Sequence, residues 1–155
     1  MTKILFVCLG NICRSPMAEF IFRDMLEKRG LQHEIVCASA ATSDEEAGNH
    51  VYPSAKRKLR DMGIDCTGKR AVTLTRADYD KYDWLIGMEA RNITAMKRIC
   101  GGDPAEKIHR LLEGAPNPRD IADPWYTGDF DAACRDITEG CTRLIDRLAE
   151  GKSAY

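Results

Sequence analysis

An apolar run, Ile4-Leu5-Phe6-Val7, leads straight into Cys8-Leu9-Gly10-Asn11-Ile12-Cys13-Arg14-Ser15, and Ser15-Pro16 then opens an amphipathic stretch. This junction constrains the fold more than any other feature. A continuous apolar run that ends at a glycine-containing loop reads as a strand buried on both faces, here Lys3 to Val7. Such a strand needs cover on each side. Ser15 as N-cap, Pro16 in the first turn and Glu19 near the positive end of the dipole predict a helix. Met17, Phe20, Ile21, Met25 and Leu26 supply its apolar stripe, and Gly30 its stop.

The rest of the chain repeats the alternation. Strands are predicted at 34–39, 71–74 and 83–87, and helices at 54–62, 76–81, 90–99 and 130–150. The last helix is the clearest, with Ala133, Ile137, Cys141, Leu144, Ile145 and Leu148 on one face. Strands alternating with helices imply βαβ units, hence an α/β fold with a parallel sheet and helices on both faces. The segment 114–129 holds three prolines and two glycines and is expected to be a long loop. Such loops in compact domains are often functional.

A length of 155 residues is that of one ordinary domain, and 44% hydrophobic with 30% charged residues is a globular composition. A formal net charge of -1 gives no reason to expect a nucleic-acid partner. The basic run Lys56-Arg57-Lys58 with Arg60 is expected to be a solvated helix face. No segment is long and apolar enough to span a membrane or to serve as a secretory leader, so a cytoplasmic location is expected. Seven cysteines (8, 13, 37, 66, 100, 134, 141), an odd number with no C-x-x-C pair, fit a reducing compartment. Three scattered histidines leave no zinc pattern, so neither metal nor cofactor is expected.

The loop after the first strand has the composition of an anion site. A strand, a tight loop and a helix N-terminus turn several backbone N–H groups toward one point, with the helix dipole behind them. Gly10 and Asn11 tolerate the positive φ that such a nest uses. Arg14 adds a planar bidentate donor matched to phosphate oxygens. The same field favours the thiolate, the nucleophilic form, at Cys8, and Ser15 has a hydrogen to donate to it. A Walker-type loop would end in Gly-Lys-Ser/Thr and a dinucleotide loop would read G-x-G-x-x-G; neither is present.

With this C-x5-R-S loop, Ser39-Ala40-Ala41-Thr42, Gly63-Ile64-Asp65 and Asp123-Pro124-Trp125-Tyr126, the sequence resembles the low-molecular-weight protein tyrosine phosphatases over nearly its whole length. The resemblance implies a single domain over residues 1–155. It also implies a three-layer αβα fold with a four-stranded parallel sheet, and metal-independent hydrolysis of phosphotyrosine in protein substrates. Cys8 then corresponds to the nucleophile, Arg14 to the phosphate clamp and Asp123 to the general acid and base. Leu9, Gly10, Asn11, Ile12, Cys13 and Ser15 complete the phosphate loop, Asn11 holding its shape and Ser15 tuning the thiolate. Trp125 and Tyr126 would wall a slot for an aromatic ring. Asp120 is a rival for the acid, but Pro124 holds the preceding residue extended and so favours Asp123. Cys13 is implied to pair reversibly with Cys8 under oxidation. The resemblance also implies a cognate tyrosine kinase as partner, and a monomer or weak dimer is the expected state.

Four positions depart from the family pattern. Glu45 stands where an aromatic ring is common, within the acidic lip Asp44-Glu45-Glu46. Lys69 and Val72 replace a His and an Arg; the His often supports the loop serine, so the support of Ser15 is expected to differ here. Glu89 replaces an Asp. Three other readings share the motif. Arsenate reductases of this fold carry two further cysteines around positions 80–90, absent here. Protein-arginine phosphatases carry Thr at the position of Ile12. A binding or redox-sensing module without turnover would have lost Cys8 or Asp123.

Overall fold

The computed structural model describes residues 1–155. A four-stranded, all-parallel sheet forms its centre: β1 (Thr2–Cys8), β2 (Ile35–Ala41), β3 (Trp84–Gly87) and β4 (Ile108–Arg110), in the order β2-β1-β3-β4. β1 alternates its side chains as a strand must. Ile4, Phe6 and Cys8 enter the larger apolar cluster, while Leu5 and Val7 enter the smaller one on the opposite face.

The larger cluster lies under α1 (Arg14–Lys28), α2 (Pro53–Asp61) and the long terminal helix. The smaller is covered by α3 (Arg76–Lys81) and α4 (Ala90–Cys100) through Tyr79, Met96 and Cys100. A short helix, α5 (Pro124–Thr127), interrupts the late loop before α6 (Phe130–Ala149). Three layers result, as the resemblance implied. No helix is long and apolar enough to cross a membrane.

β1 is flanked by β2 on one side and β3 on the other, so the chain changes direction of winding at its carboxyl end. In open parallel sheets that switch point is where ligands bind. It is occupied here by the loop Cys8–Ser15.

Two expectations fail. Segment 71–74 is not a sheet strand; it meets β2 only at Ala41, which donates to Val72 O and accepts from Leu74 N–H, both at 2.8 Å. Ala71 N–H goes to Asn49 O (2.8 Å), Val72 N–H to the Asn11 side chain (3.1 Å), and only Ala41 and Thr73 form a bridge. Conversely β4 had no strand signal, because three residues are too few to show a period. The first helix also starts differently. Arg14 is its first residue and Cys13 its N-cap with no side-chain cap bond, so Ser15 sits inside the first turn. Glu19 lies beyond that turn.

Candidate active site

Asn11 adopts φ 58°, the left-handed conformation that closes the loop; Gly10 does not share it. An added Cβ at Gly10 would make ordinary van der Waals contact with the Glu46 side chain at 3.4 Å. The turn at Asn11 aims two backbone donors at the cysteine sulfur: Asn11 N–H and Ser15 N–H each lie 3.4 Å from Cys8 Sγ. The Ser15 hydroxyl is 3.0 Å from the same sulfur. Two backbone N–H groups and one hydroxyl thus converge on a single sulfur.

Behind Ser15 runs a chain of buried polar groups. Asn11 Oδ1 accepts from Val72 N–H (3.1 Å), which fixes the amide orientation. Its Nδ2 then donates to Ser15 Oγ (2.8 Å) and to Ser39 Oγ (2.9 Å). Ser39 donates to Glu19 Oε1 at 2.6 Å. Lys69 Nζ donates to Ser39 O (3.0 Å) and lies 3.5 Å from Glu19, while Arg23 binds the other Glu19 oxygen at 2.6 Å. Ser15 is therefore supported, and the support does differ, with Lys69 on Ser39 O and beside Glu19. Glu19 and Ser39 were not foreseen. The available signal was a carboxylate four residues before Arg23 within an otherwise apolar stripe.

Arg14 is buried, with 1% of its surface exposed. It donates to Ile121 O (2.8 Å), to Glu89 Oε1 (3.4 Å) and to Asp123 Oδ2 (3.2 Å). Glu89 reaches it from the N-cap of α4, where Asn92 Oδ1 accepts from the Met88 and Glu89 N–H groups. Ile121 N–H bonds to Met88 O (2.9 Å) and ties the late loop to the end of β3. That tie brings Asp123 to Arg14 across the length of the chain.

Asp123 is extended (φ -77°, ψ 113°), as the following proline requires, and its Oδ1 accepts from Trp125 N–H (3.0 Å). Asp120 is engaged elsewhere, accepting from Ala90 N–H and Arg110, both at 2.9 Å. Of the two acids, Asp123 is the one that reaches Arg14.

Cys8, Leu9, Gly10, Ile12, Cys13 and Arg14 line one concave pocket of about 160 Å³ together with Asp123, Trp125 and Tyr126. Ser43, Glu45 and Glu46 complete the lining. Tyr126 is exposed, and Trp125 packs edge-on against Tyr52 (4.9 Å), which stacks on Phe130 (5.9 Å). Tyr52 was not foreseen; its N–H also holds Ile12 O at 2.9 Å. Of the departures, Glu45 lines the mouth, Glu89 bonds Arg14, and Val72 leaves its side chain exposed while its N–H orients Asn11. Burial pushes the Cys13 thiol up to about 12, and the nearby Cys8 adds to the shift. All seven cysteines are free thiols. No group of three or more His, Cys, Asp or Glu side chains converges on a common metal position.

A parallel sheet with a Cys-x5-Arg loop at its switch point, faced by an Asp-Pro segment, places the molecule in the class of phosphatases built around a cysteine cradle. The sequence profile described as low molecular weight phosphotyrosine protein phosphatase matches residues 3–154. The Bacillus subtilis low molecular weight protein-tyrosine-phosphatase YfkJ is 39% identical over 98% of this chain and 99% of its own. Its crystal structure superposes with a TM-score of 0.94, covering 99% and 98% of the two chains. The pig low molecular weight phosphotyrosine protein phosphatase is 32% identical over 94% of this chain and 95% of its own. A Streptococcus pyogenes enzyme of the same name class has a TM-score of 0.86 at 34% identity, covering 96% and 93%. The chain belongs to the low-molecular-weight protein tyrosine phosphatases, and it is an enzyme of that kind.

Proposed function

We propose that the pocket hydrolyses phosphotyrosine in protein substrates through a phosphocysteine intermediate. The observation that carries this reading is the position of Arg14, which bonds Asp123 while its loop holds three donors on Cys8 Sγ. Nucleophile, clamp and acid thus share one pocket.

In the first step the Cys8 thiolate attacks phosphorus and the bond from phosphorus to the phenolic oxygen breaks. The loop N–H groups and Arg14 carry the charge on the equatorial oxygens. An incoming phosphoryl group competes for Arg14 and releases Asp123 from it. Asp123 then protonates the departing phenolate, a base of pKa about 10, which is a poor leaving group without that proton. In the second step water attacks phosphorus and gives its proton to Asp123. The sulfur–phosphorus bond breaks, inorganic phosphate forms, and Ser15 stabilises the leaving thiolate.

The aromatic side chains Trp125 and Tyr126, with Leu9 and Ile12, give the mouth an apolar wall suited to a phenol ring. Ile12 offers no hydroxyl to a guanidinium. The protein-arginine phosphatase reading draws on Glu45 and Glu46, carboxylates in the lining that a guanidinium would meet. We also propose that Cys13 serves as the resolving thiol under oxidation. Its raised pKa keeps it from competing as a nucleophile.

The test is hydrolysis of p-nitrophenyl phosphate by wild type, Cys8→Ser and Asp123→Ala, followed by competition of phosphotyrosine against phosphoarginine peptides. Wild-type turnover lost in Cys8→Ser and reduced about 100-fold or more in Asp123→Ala is expected. Equal activity in all three, or a preference for phosphoarginine, overturns the reading.

A further inference from the structure

The basic run of α2 is not a uniform solvated face. Lys58 turns aside to Asp131 at 2.6 Å. Lys56, Arg57 and Arg60 turn the other way and, with His50 and Lys69, line a groove of about 590 Å³ that contains no carboxylate in its wall. Lys56, Arg57 and Arg60 are exposed and form no ion pair, although the chain as a whole carries a formal net charge of -1. Four cations and a histidine around one concavity raise the local concentration of anions and steer their approach.

The groove begins where the catalytic mouth ends. Glu46, on the mouth, and His50, in the groove, are joined by a single turn closed by Asn49 N–H to Glu46 O at 2.9 Å. His50 in turn bridges Arg70, and Ala71 N–H bonds Asn49 O, so lip and groove form one continuous wall. Even fully extended, the chain between Glu46 and His50 spans no more than ~14 Å. A peptide held by its phosphotyrosine in the Cys8 loop needs only about four or five residues to cover that distance.

Building on the phosphotyrosine reading, we infer that this groove takes an acidic stretch of the same substrate chain, set a few residues away from the phosphotyrosine. The order of charges matters. Glu45 and Glu46 line the mouth, so acidic residues immediately flanking the phosphotyrosine are repelled. Acidic residues farther along fall among Lys56, Arg57 and Arg60. The two walls together select a position for negative charge, not merely its presence.

Three phosphotyrosine peptides of equal length test this: one neutral, one with glutamates adjacent to the phosphotyrosine, one with glutamates about five to eight residues away. Expected at low salt is a kcat/KM for the distal-acid peptide about 10-fold above neutral, carried by KM, and an adjacent-acid peptide below neutral. The advantage should vanish at ~0.5 M salt, where exposed charges are screened within a few ångströms. Arg57→Ser/Arg60→Ser should abolish it while leaving p-nitrophenyl phosphate hydrolysis unchanged; Lys56→Gln provides a milder second variant. Lys69 is kept, since it also supports Ser39 behind the cradle. Equal kcat/KM for distal-acid and neutral peptides, or an advantage that survives in both variants, overturns the inference and leaves the phosphotyrosine reading intact. No hydrolysis of any of the three peptides overturns that reading and the inference with it.

Discussion

Ser39 gives its one hydroxyl proton to Glu19, 2.6 Å away, at the far end of the buried chain of hydrogen bonds that reaches Cys8. An ionised carboxylate only accepts, so Ser39 must accept from Asn11. Asn11 likewise donates to Ser15. The Ser15 proton is then free for Cys8 Sγ at 3.0 Å, in preference to Ala40 O at 3.4 Å. The chain is thus held at two points, by Val72 N–H on Asn11 and by the buried Glu19 carboxylate on Ser39.

Glu19→Gln tests that polarity. Its amide can present a donor to Ser39, whose proton then turns toward Asn11 Nδ2 and weakens that link of the chain, while Val72 N–H still holds Asn11. One weakened hydrogen bond to a charged group is worth about 1.5–3 kcal/mol, so kcat should fall roughly 10- to 100-fold. KM for p-nitrophenyl phosphate should change little, because the loop amides and Arg14 remain. Ser15→Ala should reproduce the effect, and the double variant should be no worse than either alone, measured by steady-state kinetics.

Arg14→Lys keeps the charge but not the fork. The guanidinium meets Ile121 O, Glu89 and Asp123 at once, a planar arrangement that a single ammonium cannot reproduce. A fall in kcat/KM of about 1000-fold is expected, with weaker inhibition by inorganic phosphate in the same assay.

Alkaline pH should unfold the protein through its buried thiols. A free thiol in the unfolded chain titrates near 9.0, and burial holds Cys141 well above that value. Above pH 9 the unfolded chain has released a proton that the folded chain retains. Stability is therefore fully present below pH 9 and falls as pH rises. At pH 10.5 a fully buried thiol accounts for about 2 kcal/mol of that loss. Denaturant titrations at pH 7 and 10.5 should show the difference shrinking by that order in Cys141→Ala.

The shape of the Cys8–Ser15 loop was legible in the sequence because it is local: strand, nest, arginine and helix start are contiguous from Lys3 to Pro16. Asp123 was legible because Pro124 marks it. The support behind the loop was not. Glu19, Ser39 and Lys69 lie on α1, on β2 and in the segment after α2, and no periodicity or motif announces that they meet. Ser15 was misjudged for the same reason: as an isolated residue it looks like an N-cap, whereas its hydroxyl is taken by the sulfur of Cys8. Segment 71–74 has a strand's composition, but two of its N–H groups are claimed by Asn49 and Asn11.

Only two tryptophans occur in the chain, and they report on opposite ends of it. Trp84 sits beside His109 and Tyr155 at the amino-terminal end of β3, away from the phosphate loop. Trp125 stands half-exposed at the pocket mouth, edge-on to Tyr52. Replacing Trp84 with Phe would leave a single intrinsic fluorophore at the mouth. Occupancy of the pocket becomes an optical signal, readable in real time without a label or a chromogenic substrate.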